Sequence, residues 1–387
     1  MKHIGILEIH FHIKYLYSIM RICKTKNTKV TVFTTKELFS RIETYLDNKS
    51  KYNVILKDEK ESISSFLKKV EDICSEKIDI LFINTIQTSS LDLPHYFGFK
   101  PKTKMILTVH TTNHWLKAKF TFNSKNLFRT VDTNLSLIFI RKIILPKFDA
   151  INVIYPPIKN YILKNTDYKK EIFTIPFNFF DKSKKISNIS NDNKIRFVIP
   201  GIIEDHRRDY KASLDVFEKL FKKFSKKISL YIVGRPIGAY GEEIIERCEK
   251  LKKKGYEVVC SKKFVSEKKY NENLTKCDII FSPITVRKKG STGIEEIYGT
   301  TEGSALPFEA IQYAKPLIAP KEFNIINELK SSSISYDNLD ELEQLLTSVI
   351  TDRKKLAKLK KNALENSKKF SLSTLQKYFE NNVLNIK

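Results

Sequence analysis

Tyr298–Pro320 reads YGTTEGSALPFEAIQYAKPLIAP. A turn of small residues, Gly299 to Ser304, runs into a helix start at Ala305 to Pro307. Glu309 follows one turn in, and the stretch closes on the apolar strand Pro316 to Ala319. A helix that begins out of such a turn presents unpaired N–H groups and the positive end of its dipole, which suits a phosphate or diphosphate. Pro307 fits a first turn, where its missing donor costs little. The plain alternative is an ordinary loop, helix and strand of an α/β protein, with Ser304 as the cap.

Working outward, short apolar runs alternate with helical spacing over most of the 387 residues. Strands are expected at Lys2 to Ile9, Lys29 to Thr34, Ile78 to Asn84, Met105 to Val109, Asp149 to Ile154 and Ile172 to Ile175, with helices between them. That opening predicts a parallel, doubly wound sheet. From Asp181 to Lys194 the chain turns polar and loses periodicity, which reads as a linker. A second α/β unit follows, with strands at Ile195 to Ile199, Ile228 to Val233, Glu257 to Val259 and Asp278 to Ser282. A long loop is expected from Thr285 to Thr301, and two last helices at about Leu339 to Asn366 and Leu372 to Leu384. The length itself favours two domains.

The formal charge of +25 is no tail, because residues 1–193 carry 32 basic and 18 acidic side chains and the remainder carry 37 and 26. A polyanion, an anionic membrane or a phosphorylated ligand would each match it. A nucleic-acid-binding protein is the reading that rests on charge alone, and no recognition module supports it, so no nucleic-acid partner is expected. Five cysteines without a C-x-x-C point to buried thiols in a reducing cytoplasm. No signal-peptide pattern opens the chain, and no apolar run reaches the ~20 residues of a membrane helix.

No G-x-G-x-x-G follows the first strand and no P-loop occurs, so plain dinucleotide and P-loop chemistry lose their support. Gly201 to Lys211, GIIEDHRRDYK, instead follows a strand and precedes a helix that Asp209 can cap. Arg207, Arg208 and Lys211 then stand at the carboxyl edge of the sheet, where open α/β sheets bind ligands. A solvated basic turn is the alternative.

These residues carry a resemblance. The second half is similar to the nucleotide-sugar domain of GT-B glycosyltransferases, especially the family 4-like group. The matching pieces are HRRDYK, the strand LYIVG, the segment KKFVSEKKYNENLTKCDIIFSPI and the signature E-G-x-x-L-P-x-E-A followed by K-P-L-I. The first half matches more loosely through an H-x-H loop, ILTVHTT and DAINVIYPPIKNYI. The resemblance implies two Rossmann-like domains facing across a cleft: 1–185 for the acceptor, with a C-terminal helix at about 371–387 crossing back, and 186–370 for the nucleotide sugar.

What the resemblance implies for the site is specific. Gly303, Ser304 and Ala305 offer amides to the donor diphosphate, while Arg208 and Lys211 neutralise the leaving nucleotide. Glu309 hydrogen-bonds the ribose, Glu302 faces the donor sugar, and Phe264 and Val265 flank the base. His110 touches the donor sugar or the catalytic centre, and His10 and His12 meet the acceptor. No metal and no cofactor beyond the nucleotide-sugar donor are implied, since fixed cations and amides can stabilise charge on the departing phosphate. The pairs His10/His12 and His110/His114 lack a third ligand fixed by spacing.

Two departures are visible. Six residues separate Glu302 from Glu309 where the family has seven, a shift of roughly 100° on a helix, so both cannot hold their usual places. Glu309, on the helix, is the residue expected to keep its role. The arginine usual after the first glycine is Ile202, leaving Arg207 or Arg208 to do its work.

Between Phe97 and Phe148, aromatic and basic residues interleave, among them Trp115, Lys117, Lys119, Phe120, Phe122, Lys125, Phe128 and Arg129. Such pairing suits an interfacial segment; a solvated helix with a core-facing aromatic side suits it equally. The expectation is a cytoplasmic hexosyltransferase-type enzyme, peripheral at the inner face of the plasma membrane. It would use a glycan or lipid-linked acceptor in bacterial envelope polysaccharide synthesis. A sugar-nucleotide epimerase of the same fold is the alternative.

Overall fold

The computed structural model describes residues 1–46, 49–120, 122, 126–181, 194–263, 265–289 and 293–386. The boundary expected at 185 and the expected linker apart from its ends Asp181 and Lys194 fall in 182–193, and Lys125 in 123–125, all outside the described residues.

The first sheet has seven parallel strands, β1 (Lys2–Glu8), β2 (Thr28–Thr35), β3 (Asn53–Lys57), β4 (Ile80–Ile83), β5 (Lys104–Thr108), β6 (Ala150–Val153) and β7 (Glu171–Thr174), in the order β3-β2-β1-β4-β5-β6-β7. The second lobe contributes β8 (Ile195–Pro200), β9 (Ile228–Val233), β10 (Val258–Cys260), β11 (Ile279–Phe281), β12 (Arg287–Lys289), β13 (Glu295–Ile297), β14 (Leu317–Pro320) and β15 (Ser333–Tyr336). Six of these form a parallel sheet in the order β10-β9-β8-β11-β14-β15. In each sheet the order reverses beside the first strand, between β1 and β4 and between β8 and β11. These are the topological switch points where such sheets bind ligands.

Strand alternation sorts the core into layers. Ile4, Ile6, Val30 and Val32 face the layer beneath helix Ile13–Cys23 and the C-terminal helix, whereas Leu7, Phe33, Leu81 and Ile83 face the opposite one. That second layer continues into the other lobe, joining Ile154, Tyr155 and Ile158 to Leu306, Phe308 and Phe323. Tyr155 meets Phe308 edge-on, with ring centroids 5.6 Å apart. Shared apolar packing therefore fixes the two lobes against each other. The segment from Leu372 to Val383 packs on the first sheet: Phe379 reaches Phe82, and Gln376 donates to the Arg21 and Lys24 carbonyls.

Several expectations are corrected. The loop expected over Thr285 to Thr301 carries the antiparallel hairpin β12–β13. The helix expected from Leu339 to Asn366 is two helices, Leu339–Thr351 and Arg353–Lys368, because Asp352 leaves helical geometry and caps the second. Strands β3 and β15 are edge strands that the sequence reading omitted. Trp115 is buried rather than interfacial.

Candidate active site

Where the two switch points face each other lies a cavity of about 640 Å³. Both lobes line it.

Behind the first-lobe wall stands Glu8, the last residue of β1 and fully buried. Its carboxylate accepts from the His10 amide at 2.8 Å and from Thr85 Oγ1 at 2.5 Å. Burial raises its pKa, and these two hydrogen bonds oppose the rise. His12 Nδ1 lies 2.6 Å from Thr85 Oγ1. Because Thr85 gives its proton to Glu8, its oxygen is left to accept from His12 Nδ1–H. Nε2 of the neutral ring is therefore the unprotonated nitrogen.

His12 stacks on His110, with centroids 3.9 Å apart at 19°. His110 Nε2 lies 2.8 Å from the Asn84 carbonyl, which can only accept, so this nitrogen carries the proton. Burial drives the His12 pKa down to about 2, helped by His110 and His10. Burial likewise lowers His110 to about 4. Both rings are neutral at physiological pH.

The second-lobe wall is cationic and amide-rich. Gly201, at φ +108°, turns the chain out of β8, and a Cβ there would sit 2.5 Å from Arg208 Nη2. Glycine thus leaves room for the guanidinium. Arg208 also donates to the Ile202 carbonyl at 3.4 Å, and its buried Nε has no protein partner. Arg207 is held by Glu204 at 2.6 Å. Ser304 caps helix Ala305–Tyr313 by accepting from the Leu306 amide at 3.3 Å. Gly303, Ser304 and Ala305 all line the cavity.

Glu302 lines it too, paired with Lys288 at 2.8 Å, while its Oε2 is buried without a partner. Burial raises the Glu302 pKa against the pull of Lys288. Around it the lobes touch through backbone: the Thr112 amide donates to the Thr301 carbonyl at 2.9 Å.

The fold thus brings together His12, His110, Arg207, Arg208, Glu302, Gly303, Ser304 and Ala305. Other sequence-predicted residues stand elsewhere. Glu309 is buried one turn inside its helix, where Lys14 at 3.5 Å and the Tyr270 hydroxyl hold its carboxylate. Lys211 runs to Glu243 at 2.7 Å and over the Tyr240 ring. The His10 ring turns to the Tyr96 hydroxyl at 3.2 Å. Val265 packs half-buried on the core, and Phe264 lies outside the described residues.

Sequence reasoning missed Glu8, Thr85 and Lys288. An acid inside the apolar run KHIGILE was the signal available for Glu8. Thr85, 77 residues away, and the hairpin lysine had none. Among the described residues, no group of three His, Cys, Asp or Glu side chains converges as a metal site would require.

No family model matches the chain, and no curated protein matches it in sequence. Solved structures do. A glycosyltransferase from Rickettsia africae superposes with a TM-score of 0.65 at 13% identity, covering 98% of this chain and 97% of that one. The fold is GT-B. A second GT-B relative in shape is S. aureus TarM, solved as a mutant with Fondaparinux, α-GlcNAc-glycerol and UDP, at a TM-score of 0.64, 12% identity and coverage of 98% and 99%. UDP-GlcNAc 2-epimerase from Neisseria meningitidis, bound to UDP-GlcNAc, follows at 0.54, 12% identity and coverage of 99% and 100%. In the GT-B frame, the cavity is the crevice between the two Rossmann-like lobes.

Proposed function

We propose that this chain is a glycosyltransferase that moves a sugar from a nucleoside-diphosphate donor to a hydroxyl of a glycan or lipid-linked acceptor. One observation carries the reading. An anion-ready wall (Arg207, Arg208 and the amides of Gly303 to Ala305) faces an unprotonated histidine nitrogen across one cavity. Diphosphate held by those cations and amides is a better leaving group, because charge develops where fixed dipoles already point. Lys211 and Glu309 would join the donor site only after release from their present partners.

On the opposite wall, the acceptor hydroxyl donates a hydrogen bond to the unprotonated His12 Nε2, which orients it as its oxygen bonds to the anomeric carbon; because burial holds the ring neutral, the hydroxyl proton passes to the departing phosphate oxygen. The bond from that carbon to the phosphate oxygen breaks, and the electron pair leaves with the nucleotide. Thr85 and Glu8 hold the tautomer that permits this. His110 keeps the His12 ring in plane, and Glu302, fixed by Lys288, is placed to bond the donor sugar. None of these steps calls on a metal. A role in cytoplasmic-side envelope glycan synthesis follows from the acceptor class.

The test is a thermal-shift screen of purified protein against nucleotides and nucleotide sugars, followed by transfer assays. A UDP- or GDP-sugar should raise Tm. Arg208→Ala should weaken its binding roughly 10- to 100-fold, the worth of a charge-assisted hydrogen bond, while Lys211→Ala leaves it nearly unchanged. No shift with any nucleotide sugar would sink the reading. Turnover of one nucleotide sugar alone, to its epimer, would put the chain with the epimerase it resembles in shape.

A further inference from the structure

The helix Leu127–Phe139 is turned inside out. Its buried positions are Thr130, Thr133, Ser136 and Leu137, three of the four bearing hydroxyls, whereas Leu127, Phe128, Val131, Leu135 and Ile138 face solvent. Phe128 is 81% exposed. Steps of three and four residues put this apolar set on a single face. A helix of a globular protein normally buries that stripe. Here two of the inward hydroxyls bond carbonyls of their own helical turns, Thr130 Oγ1 to Asn126 at 3.1 Å and Ser136 Oγ to Thr133 at 2.7 Å, while Thr133 Oγ1 is buried without a partner among the described residues. Phe120 and Phe122, earlier in the same segment, are 71% and 80% exposed.

Charge says what covers it. Residues 100–148 contain ten lysines and arginines and one acid, Asp132. Asp132 is turned to Ser90, whose amide and hydroxyl both donate to it, at 2.9 and 2.5 Å. Lys142, four residues beyond Ile138, is exposed, as are Lys119 and Arg129 of the same segment. Exposed apolar anchors in a segment with this excess of cations fit a bilayer boundary carrying anionic headgroups.

We propose that this face docks the protein on an anionic lipid bilayer. Ser90 belongs to the loop whose neighbours Thr85 to Ser89 and Asp92 line the cavity, so docking brings the acceptor side of the cavity to the membrane surface. The consequence for a lipid-linked acceptor rests on the glycosyltransferase reading; the docking itself does not.

The test is co-sedimentation of the full chain with vesicles of phosphatidylcholine alone and of phosphatidylcholine mixed with phosphatidylglycerol. Binding is expected to the mixed vesicles, falling steeply with salt. Leu127→Ser/Phe128→Ser/Leu135→Ser should lose on the order of tenfold or more, as should Lys119→Glu/Arg129→Glu. Both sets lie on the surface, and an unchanged Tm confirms that they fold. The nucleotide-sugar thermal shift is scored on the same preparations, so that failure of the donor site and failure of the docking face read separately. No binding to mixed vesicles, or full binding by the apolar variant, overturns the proposal. So does a dimer in sedimentation velocity that Phe128→Ser dissociates, since a second copy would then be the occupant.

Discussion

His12 and His110 lie face to face, 3.9 Å between ring centroids, one tethered to Thr85 and the other to the carbonyl of Asn84. The stack fixes both rings, and the two tethers assign opposite nitrogens the proton. His12→Ala should lower kcat about tenfold, the usual worth of a neutral hydrogen bond that orients the reacting hydroxyl. Thr85→Val, which removes the tether but keeps the shape, should lower kcat less and shift the pH profile of kcat. Unaltered kcat in His12→Ala would remove this residue from the reaction.

Acid stability follows from the same burial. A histidine depressed from 6.5 to about 4, as His110 is, binds fewer protons folded than unfolded between those values. Its contribution is present above the unfolded value and is lost as pH falls through that window. Glu296, raised by burial from 4.5 to about 7, has the opposite sign: its contribution is present at low pH and lost as pH rises toward 7. Urea midpoints between pH 7 and 5 should therefore fall less in His110→Gln than in the parent, and more in Glu296→Gln. Parallel curves for all three proteins would contradict the assignment.

Gly303 has no room for a side chain. A Cβ there would stand 2.3 Å from Cδ1 and 2.5 Å from Cγ1 of Ile154, at the seam between the lobes. Gly303→Ala should cost about 1–3 kcal/mol through overpacking. Ile154→Ala added to it should recover part of that loss, although Ile154→Ala alone destabilises. Additive losses in the thermal cycle would show that the two sites do not touch.

Lys14 and Glu309 come from opposite lobes and meet at 3.5 Å, with the lysine also lying over the Tyr270 ring at 4.4 Å. Lys14 is about a third exposed, so solvent screens the pair and a coupling of only about 1 kcal/mol is expected from a Lys14→Met/Glu309→Gln cycle. Glu309→Gln should lower Tm and increase protease cleavage between the lobes, while keeping the nucleotide-induced thermal shift. Loss of that shift would instead place Glu309 on the ribose.

Much of the architecture was legible because periodicity is local. The alternating apolar runs gave the parallel strands, and GTTEGSALP gave a capped helix start, which the structure places on the cavity wall. Spacing also showed that Glu302 and Glu309 could not both keep their usual places. It could not say which one would face the cleft. Preferring the helical glutamate was natural from sequence, yet the loop glutamate lines the cavity and the helical one bonds across the lobes.

What the sequence determined by itself was therefore most of the parallel strands and their order, the basic and glycine-rich residues at the strand ends of the second lobe and the charge of the 100–148 segment. Only the tertiary structure decided the Glu8–Thr85–His12 relay, whose members lie up to 77 residues apart, and the outward turn of the Leu127–Phe139 helix. The physical reason is common to both. A hydrophobic period states that a helix has two faces, and a residue type states what bonds it can make; packing against distant elements selects the face and the partner.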